Sequence, residues 1–366
     1  MIKRDNIHLD GRRLDSYNKP FNFFITERET GKSTWAYSKM YKTFIHHHRP
    51  SILIRRRIND ITETWINDVG ETINQFLKTP IELDFKKGSI KEGVVDVKIK
   101  TKIPHIRSGE IFFRVIALSN PKSRIKSLVL EDPAYIIFDE YILDTASGEK
   151  WLQGEATKFQ DLYKTFSRHA IKHGHQLKCY FLGNPYSVYS PYMTWLEVDL
   201  MSIKPGAFVV GKNYVIDCQQ LSEELRAFLL EKDPLYQFDN SFTKYLFGTA
   251  INDTRFPIVP TQPEGYKLKY IYRVNHRNVA IWHKDVQRVK AGYDCGKYWI
   301  SILDPNYKGS KNVFACDFDN LIEGTRIITT DMHAMTWRLR DAIGLRDVTY
   351  QSIECGYLIE AIFTML

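Results

Sequence analysis

A two-domain chain, α/β followed by α+β, is predicted by two features of the sequence. Over about the first 200 residues, short apolar runs alternate with stretches of helical periodicity, the pattern of strand–helix–strand units on a largely parallel sheet. From about Gly265 onward the pattern changes to successive strands with few helices between them, an α+β arrangement on a mixed sheet. The length of 366 residues agrees, since domains run to roughly 150 residues each. A chain of this size can bury a core without disulfides or metal staples.

Each element has its own justification. Apolar runs predict strands over residues 21–25, 51–55, 111–117, 135–138 and 178–182, and alternation over 94–99 predicts a hairpin strand. Apolar residues at helical spacing predict helices over 34–46, 61–77 and 151–173. Pro205-Gly206 marks a break, and residues 221–231 and 241–247 read as short amphipathic helices. The expected division is therefore 1–206, a helical linker over 207–254, and a second domain over 255–366. In that domain, strands are expected at 266–274, 279–283, 297–303, 312–316 and 326–330, and helices at 335–343 and 356–366.

Charge narrows the partners. Lys plus Arg is 51 against 43 Asp plus Glu, a net +8 with a pI near 9.0, which favours an acidic partner such as nucleic acid. Between Lys86 and Lys126 there are 11 basic residues and 3 acidic ones, broken by Gly88, Gly93 and Pro104. That stretch reads either as a solvated hairpin or as a basic loop facing nucleic acid. Cys179, Cys218, Cys295, Cys316 and Cys355 form no C-x-x-C pair, so neither a disulfide framework nor a zinc site is indicated, and a reducing compartment fits. No signal-peptide core and no run approaching 18 apolar residues is present, so no membrane partner is expected.

Residues 26–33 read T-E-R-E-T-G-K-S between an apolar strand and a helical pattern. Gly31, Lys32 and Ser33 match the P-loop G-x-x-x-x-G-K-[ST], with Thr26 where the first glycine would stand. Thr26, Glu27, Arg28, Glu29, Thr30, Gly31, Lys32, Ser33 and Thr34 are the expected phosphate cradle. Backbone N–H groups at a helix N-terminus suit phosphate, Lys32 would reach the β- and γ-phosphates, and Ser33 would hold Mg²⁺. Residues 134–140 read A-Y-I-I-F-D-E, a buried strand ending in two acids. Asp139 stands where such enzymes place the Mg²⁺-associated carboxylate, and Glu140 where those with an additional strand place the base that activates water. Asn184, at the end of the strand over 178–182, is a candidate γ-phosphate sensor. Arg168, late in the helix over 151–173, is a candidate arginine finger acting on a neighbouring subunit. Tyr17 or Phe21 could stack on adenine. The first domain is thus expected to be a P-loop NTPase of the additional-strand catalytic-glutamate type, with ATP and Mg²⁺ as ligands.

These motifs, with I-L-I-R-R-R at 52–57, F-R-V-I-A-L-S-N-P-K-S-R-I-K-S at 113–127 and C-Y-F-L-G-N-P-Y-S-V-Y-S-P-Y at 179–192, resemble the DNA-encapsidation ATPases of small podovirus-type tailed phages, relatives of the terminase large subunit. The resemblance covers about residues 15–195. It implies an ATP-hydrolysing homomeric ring, usually a pentamer, that drives double-stranded DNA into a prohead at its portal vertex in the host cytoplasm. Its partners would be DNA and the portal protein, and the resemblance leaves a prohead RNA open. It implies that Arg28 can swing towards the phosphates, that Lys126 acts in trans (with Arg124 as a rival), and that Arg168 is the trans finger. Arg55 and Arg56 match a double-arginine segment. Larger relatives carry a C-terminal RNase H-like nuclease. Here Asp294, Asp304, Asp317, Asp319 and Asp331 are scattered, and none sits clearly at a strand centre. Residues 255–366 are therefore expected to be a vestigial nuclease fold that binds DNA or the portal. Lys267, Lys269, Arg273, Arg277, Lys284, Arg288 and Lys290 would supply its positive surface. The alternative is a terminase-type ATPase with an active metal-dependent C-terminal nuclease.

Overall fold

Strand order in the first of two sheets fixes where the site lies. The computed structural model describes residues 9–27, 29–107, 109–143, 151–185, 190–198, 203, 206–218, 221–232, 234–237, 256–274, 277–284, 297–307, 309, 312–316, 318–328 and 333–365. The chain divides into two units, residues 1–190 with 199–251, and residues 191–198 with 252–366.

The first unit contains β1 (Phe21–Ile25), β2 (Ser51–Arg55), β3 (Leu83–Phe85), β4 (Val94–Ile99), β5 (Ile111–Ala117), β6 (Tyr135–Asp139), β7 (Lys178–Gly183), β8 (Phe208–Val210) and β9 (Tyr214–Asp217). Their order in the sheet is β3-β4-β5-β2-β6-β7-β1-β9-β8. The run from β5 to β9 is parallel throughout, and β3/β4 and β8/β9 are antiparallel at the two edges. β7 lies between β1 and β6, pairing with both in register.

The central strands are near-continuous apolar runs because both faces are covered. On one face Phe24 and Tyr180 pack edge-on against Trp35 of α2 (Lys32–His47), in a core that also takes in Ile66, Val69 and Ile73 of α3 (Glu63–Asn74). On the other, Phe23 stacks on Phe181 at 4.2 Å, and Phe159 of α5 (Glu155–Lys172) packs on Phe181 at 4.7 Å. The short α1 (Arg12–Ser16) precedes β1, α4 (Lys122–Ser127) follows β5, α6 (Pro191–Trp195) belongs to the second unit, and α7 (Glu223–Lys232) follows β9. Parallel strands all point their carboxyl ends to one edge, so the residues after β1, β2, β6 and β7 converge there.

The sheet corrects the expected boundary at residue 207. β8 and β9 extend it, with β9 pairing in parallel along Phe21–Phe24. Two strands of three and four residues are too short to stand out by periodicity, so Pro205-Gly206 reads as a domain break although the chain returns to the same sheet. A helix over 223–232 is present, while residues 241–247 lie outside the described residues. The basic stretch from Lys86 to Lys126 supplies the turn and the second strand, β4, of the β3/β4 edge hairpin, and then β5 and α4.

The second unit has β10 (Lys267–Val274), β11 (Arg277–Lys284), β12 (Lys297–Leu303), β13 (Val313–Ala315), β14 (Arg326–Ile327), β15 (Val348–Tyr350), α8 (His333–Gly344) and α9 (Ile353–Met365). The sheet order is β14-β13-β10-β11-β12-β15. β10, β11 and β12 form an antiparallel meander, β13 joins β10 in parallel, β14 joins β13, and β15 joins β12. α9 contributes Cys355, Tyr357, Leu358, Ile359 and Ile362 to the core. Gly356 is required there, because a Cβ would meet the Phe256 ring at 2.5 Å. Among the described residues, no helix is long and apolar enough to cross a membrane.

Candidate nucleotide site

The loop between β1 and α2 is built around two left-handed residues, Glu29 (φ 60°) and Gly31 (φ 85°), with Gly31 capping α2. Thr26 is not among the residues with positive φ, which explains why a threonine is tolerated where the motif has glycine. Its hydroxyl bonds that of Thr30 at 2.9 Å, and Thr30 donates to the Glu27 carbonyl at 3.2 Å, so the loop is braced from within. Thr34 is partly buried in the first turn of α2. Arg28 lies outside the described residues.

Lys32 is buried. Its ammonium donates to the carbonyls of Thr26 (3.0 Å) and Glu27 (2.7 Å) and to Asn184 Oδ1 (2.8 Å). Asn184 is delivered by Gly183, where a Cβ would strike Tyr141 at 2.6 Å, so β7 and the chain after β6 can approach closely only with glycine. The P-loop lysine and the expected sensor are thus hydrogen-bonded directly.

Ser33 Oγ lies 3.2 and 3.4 Å from the two Asp139 oxygens. A hydroxyl and a carboxylate facing each other are hard oxygen donors of the kind Mg²⁺ takes, so these residues fit the ion. Tyr37, one turn beyond Ser33 on α2, donates to Asp139 Oδ2 at 2.8 Å. Burial, and then the neighbouring Asp139, push the Tyr37 phenol well above its ordinary pKa, so it stays protonated and remains a donor. Sequence reading missed Tyr37, although its i+4 spacing from Ser33 places both on one helix face.

Glu140 adopts φ 57°, a left-handed conformation that costs a non-glycine residue roughly 1–2 kcal/mol. Three groups hold it there. Its N–H donates to Asp139 Oδ1 at 3.1 Å, its carbonyl accepts from Arg56 at 3.1 Å, and its carboxylate pairs with Arg55 at 3.1 Å. Arg56 also donates to the Tyr141 carbonyl (2.8 Å) and to both oxygens of the fully buried Glu155 (3.1 and 3.0 Å), which heads α5. The double-arginine segment is thereby given a place: one arginine on the Glu140 side chain, the other on its backbone. Glu155 was not legible from the sequence.

The Glu27 side chain is turned away to another partner. Its carboxylate is buried and accepts from the Leu221 N–H at 2.8 Å. Burial pushes its pKa up, against the pull of the Leu221 N–H, Arg226 and Lys32. Lys126 and Arg168 are exposed, on α4 and α5. Arg124 is ion-paired with Glu92 at 2.8 Å. Phe21 stands at the amino end of β1, the sheet edge away from the P-loop, and packs on Tyr163. Tyr17 stacks on Phe208.

In the second unit, Arg273 is corrected from a surface cation to a buried one. It donates to Asn278 Oδ1 (3.1 Å) and the Pro305 carbonyl (3.4 Å). Lys267, Lys269 and Lys284 are exposed, and Arg277 faces Glu354 at 3.6 Å. Asp304 accepts from the Asn306 N–H. Asp294, Asp317, Asp331, Arg288 and Lys290 lie outside the described residues, as does the side chain of Asp319.

No family model matches the sequence, and no curated protein matches it. Solved structures do. A chain of the bacteriophage Phi-29 viral genome packaging motor assembly matches with a TM-score of 0.59 and 20% identity, covering 99% of this chain and 100% of that one. A chain of the Phi-28 gp11 DNA packaging motor matches with a TM-score of 0.58 and 18% identity, covering 99% of each. The chain has the fold of these phage packaging-motor proteins. The likeness runs through both units.

Proposed function

We propose that this protein is an ATP-hydrolysing motor that moves double-stranded viral DNA into a prohead, working as a homomeric ring, a pentamer, docked on the portal protein in the host cytoplasm. The observation that carries the reading is the convergence of Lys32, Ser33, Asp139, Glu140 and Asn184 at one sheet edge, with β7 inserted between the P-loop strand and the acidic strand. The whole-length fold likeness to packaging motors supports the DNA part.

The residues suggest a sequence of events. ATP offers phosphate oxygens to the P-loop N–H groups, and Lys32 exchanges its three neutral acceptors for a phosphate. Asn184 is then released from Lys32 and can orient water. Water attacks the γ-phosphorus, its proton passes to the Glu140 carboxylate, the bond to the β–γ bridging oxygen breaks, and ADP leaves. Arg55 holds Glu140 by an ion pair, so the carboxylate must turn from Arg55 to act as base. Ser33 and Asp139 would hold Mg²⁺, which neutralises charge on the phosphates when bound. Arg168 and Lys126 remain the candidate cations that complete a neighbour's site, and Arg28 the P-loop cation that swings towards the phosphates; the exposure of Lys126 and Arg168 supports action across a subunit boundary.

DNA binding is assigned to the β3/β4 hairpin and the loop to Arg107. Lys87 and Lys100 there pair with Glu63 and Glu82, while Lys86, Lys91, Lys102 and Arg107 are exposed with no acidic partner among the described residues. The second unit is read as RNase H-like. Its antiparallel meander β10-β11-β12, with β13 and β14 added in parallel beside β10, is the strand arrangement of that fold. Among the described residues, no strand of this sheet carries an acid. This disfavours the alternative of an active two-metal nuclease, whose carboxylates must cluster around the ions. A packaging assay tests the whole proposal: cognate proheads, linear duplex DNA, ATP and the wild-type chain should yield DNA protected from added nuclease, and Glu140→Gln should yield none. Protection that needs neither ATP nor Glu140 would contradict it.

A further inference from the structure

Asp139 has more protein donors than a serine partner alone would give it. Oδ1 lies near Ser33 Oγ (3.4 Å) and accepts from the Glu140 N–H (3.1 Å). Oδ2 accepts from Ser33 Oγ (3.2 Å) and, at the shortest distance of the set, from Tyr37 OH (2.8 Å). Tyr37 is buried, with its ring in the core between α2 and the sheet. Lys32, Ser33 and Tyr37 all belong to α2, whereas Asp139 ends β6, so the phenol ties the acidic strand to the helix that carries the phosphate-binding lysine.

We propose that Tyr37 is a positioning residue for the divalent cation, fixing the Asp139 carboxylate at the distance from Ser33 that the ion requires. The inference rests on the nucleotide-site reading above. Its logic is one of competing donors. Ser33 can bond Asp139 or face the ion with its oxygen, but a single hydroxyl hydrogen cannot keep both carboxylate oxygens in place. Once Ser33 turns, the donors left on Asp139 are the Glu140 N–H, on a residue held in a left-handed conformation, and the Tyr37 hydroxyl, on a helix packed into the core. Tyr37 is therefore the donor that stays fixed. It is also neutral, so it orients the carboxylate without cancelling the negative charge the cation needs, as a lysine or arginine in its place would. A tyrosine that merely satisfies its own buried hydroxyl would show the same bond without these consequences, and the test separates the two.

The experiment uses the full chain and its Tyr37→Phe variant, which keeps the ring and removes only the hydroxyl. Binding of a fluorescent ADP is measured first in EDTA and then along a Mg²⁺ titration, and the melting temperature is recorded without nucleotide. The proposal predicts metal-free ADP affinity within about twofold of wild type, a nearly unchanged melting temperature, and a Mg²⁺ half-saturation raised by about 10-fold, the scale seen when groups behind a metal ligand are removed. Mn²⁺ should show the same ordering of the two proteins. A Mg²⁺ midpoint identical to wild type would overturn the proposal and leave the nucleotide site intact. Equal losses of metal-free and Mg²⁺-dependent binding, with a lowered melting temperature, would assign Tyr37 a structural role only. Wild-type ADP binding that ignores Mg²⁺, or no ADP binding at all, would overturn the nucleotide-site reading itself and this inference with it.

Discussion

The two sheets of this chain end their central strands in opposite chemistry. In the first, β6 runs into Asp139 and Glu140, β7 into Asn184, and β1 into the loop before Lys32. In the second, Arg273 near the end of β10 faces Asn278 on β11, and its guanidinium is met by an amide and a carbonyl oxygen. Acids at one strand end facing a hydroxyl, with a lysine at the same sheet edge, suit phosphate and a divalent cation together. A buried guanidinium among neutral oxygens repels a divalent cation. Both sheets bring strand ends together, so architecture alone does not decide chemistry; a few side chains at those ends do.

The largest effect is expected at Glu140. Glu140→Gln should lower ATP hydrolysis by about 10²–10⁴-fold with nucleotide binding retained, measured by phosphate release and by fluorescent-nucleotide titration. An equal loss of binding would mean that the first edge is held together by this carboxylate and does not use it as a base. The buried charges sharpen the contrast next. Glu155→Gln strands Arg56 and should cost roughly 3–5 kcal/mol in urea unfolding. Arg273→Met removes a buried cation that has no carboxylate partner among the described residues, so its cost should be smaller, under about 2 kcal/mol. Equal costs would show that the two sheets treat buried charge alike.

Smaller effects are expected at the hairpin and the loop. Each of Lys102→Ala and Arg107→Ala removes one cation from the phosphate backbone. Each should therefore reduce the salt dependence of duplex-DNA binding by about 0.9 in the log–log slope, with no change between sequences. Glu27 supplies the smallest effect. Its folded-state pKa is raised, so ionised Glu27 costs stability above the ordinary carboxylate range, and that cost disappears as pH falls through the raised value. Glu27→Gln should therefore raise the urea midpoint at about pH 7, and the gain should vanish near pH 4.5.

The residues that the sequence makes legible are those with fixed spacing inside one motif. Gly31, Lys32 and Ser33 announce themselves, and so do Asp139 and Glu140, because a run of buried apolar residues ending in two acids is rare by chance. The hydrogen bonds of Arg56 with Glu155, and of Glu27 with Leu221, join residues 99 and 194 positions apart, and no periodicity encodes them. Short edge strands escape for a related reason: β8 has three residues, too few for alternation to identify. Arg273 misleads because a basic residue in a strand reads as exposed until the strand is known to be central.

The decisive measurement is ATP hydrolysis by the purified chain, with and without double-stranded DNA at two salt concentrations and beside Lys32→Ala. A DNA motor of this kind gives hydrolysis stimulated by DNA, stimulation that falls as salt rises, and loss of all activity in the variant. Hydrolysis in the wild type that ignores DNA, even with proheads added, would contradict a DNA motor, and hydrolysis that survives Lys32→Ala would contradict the site.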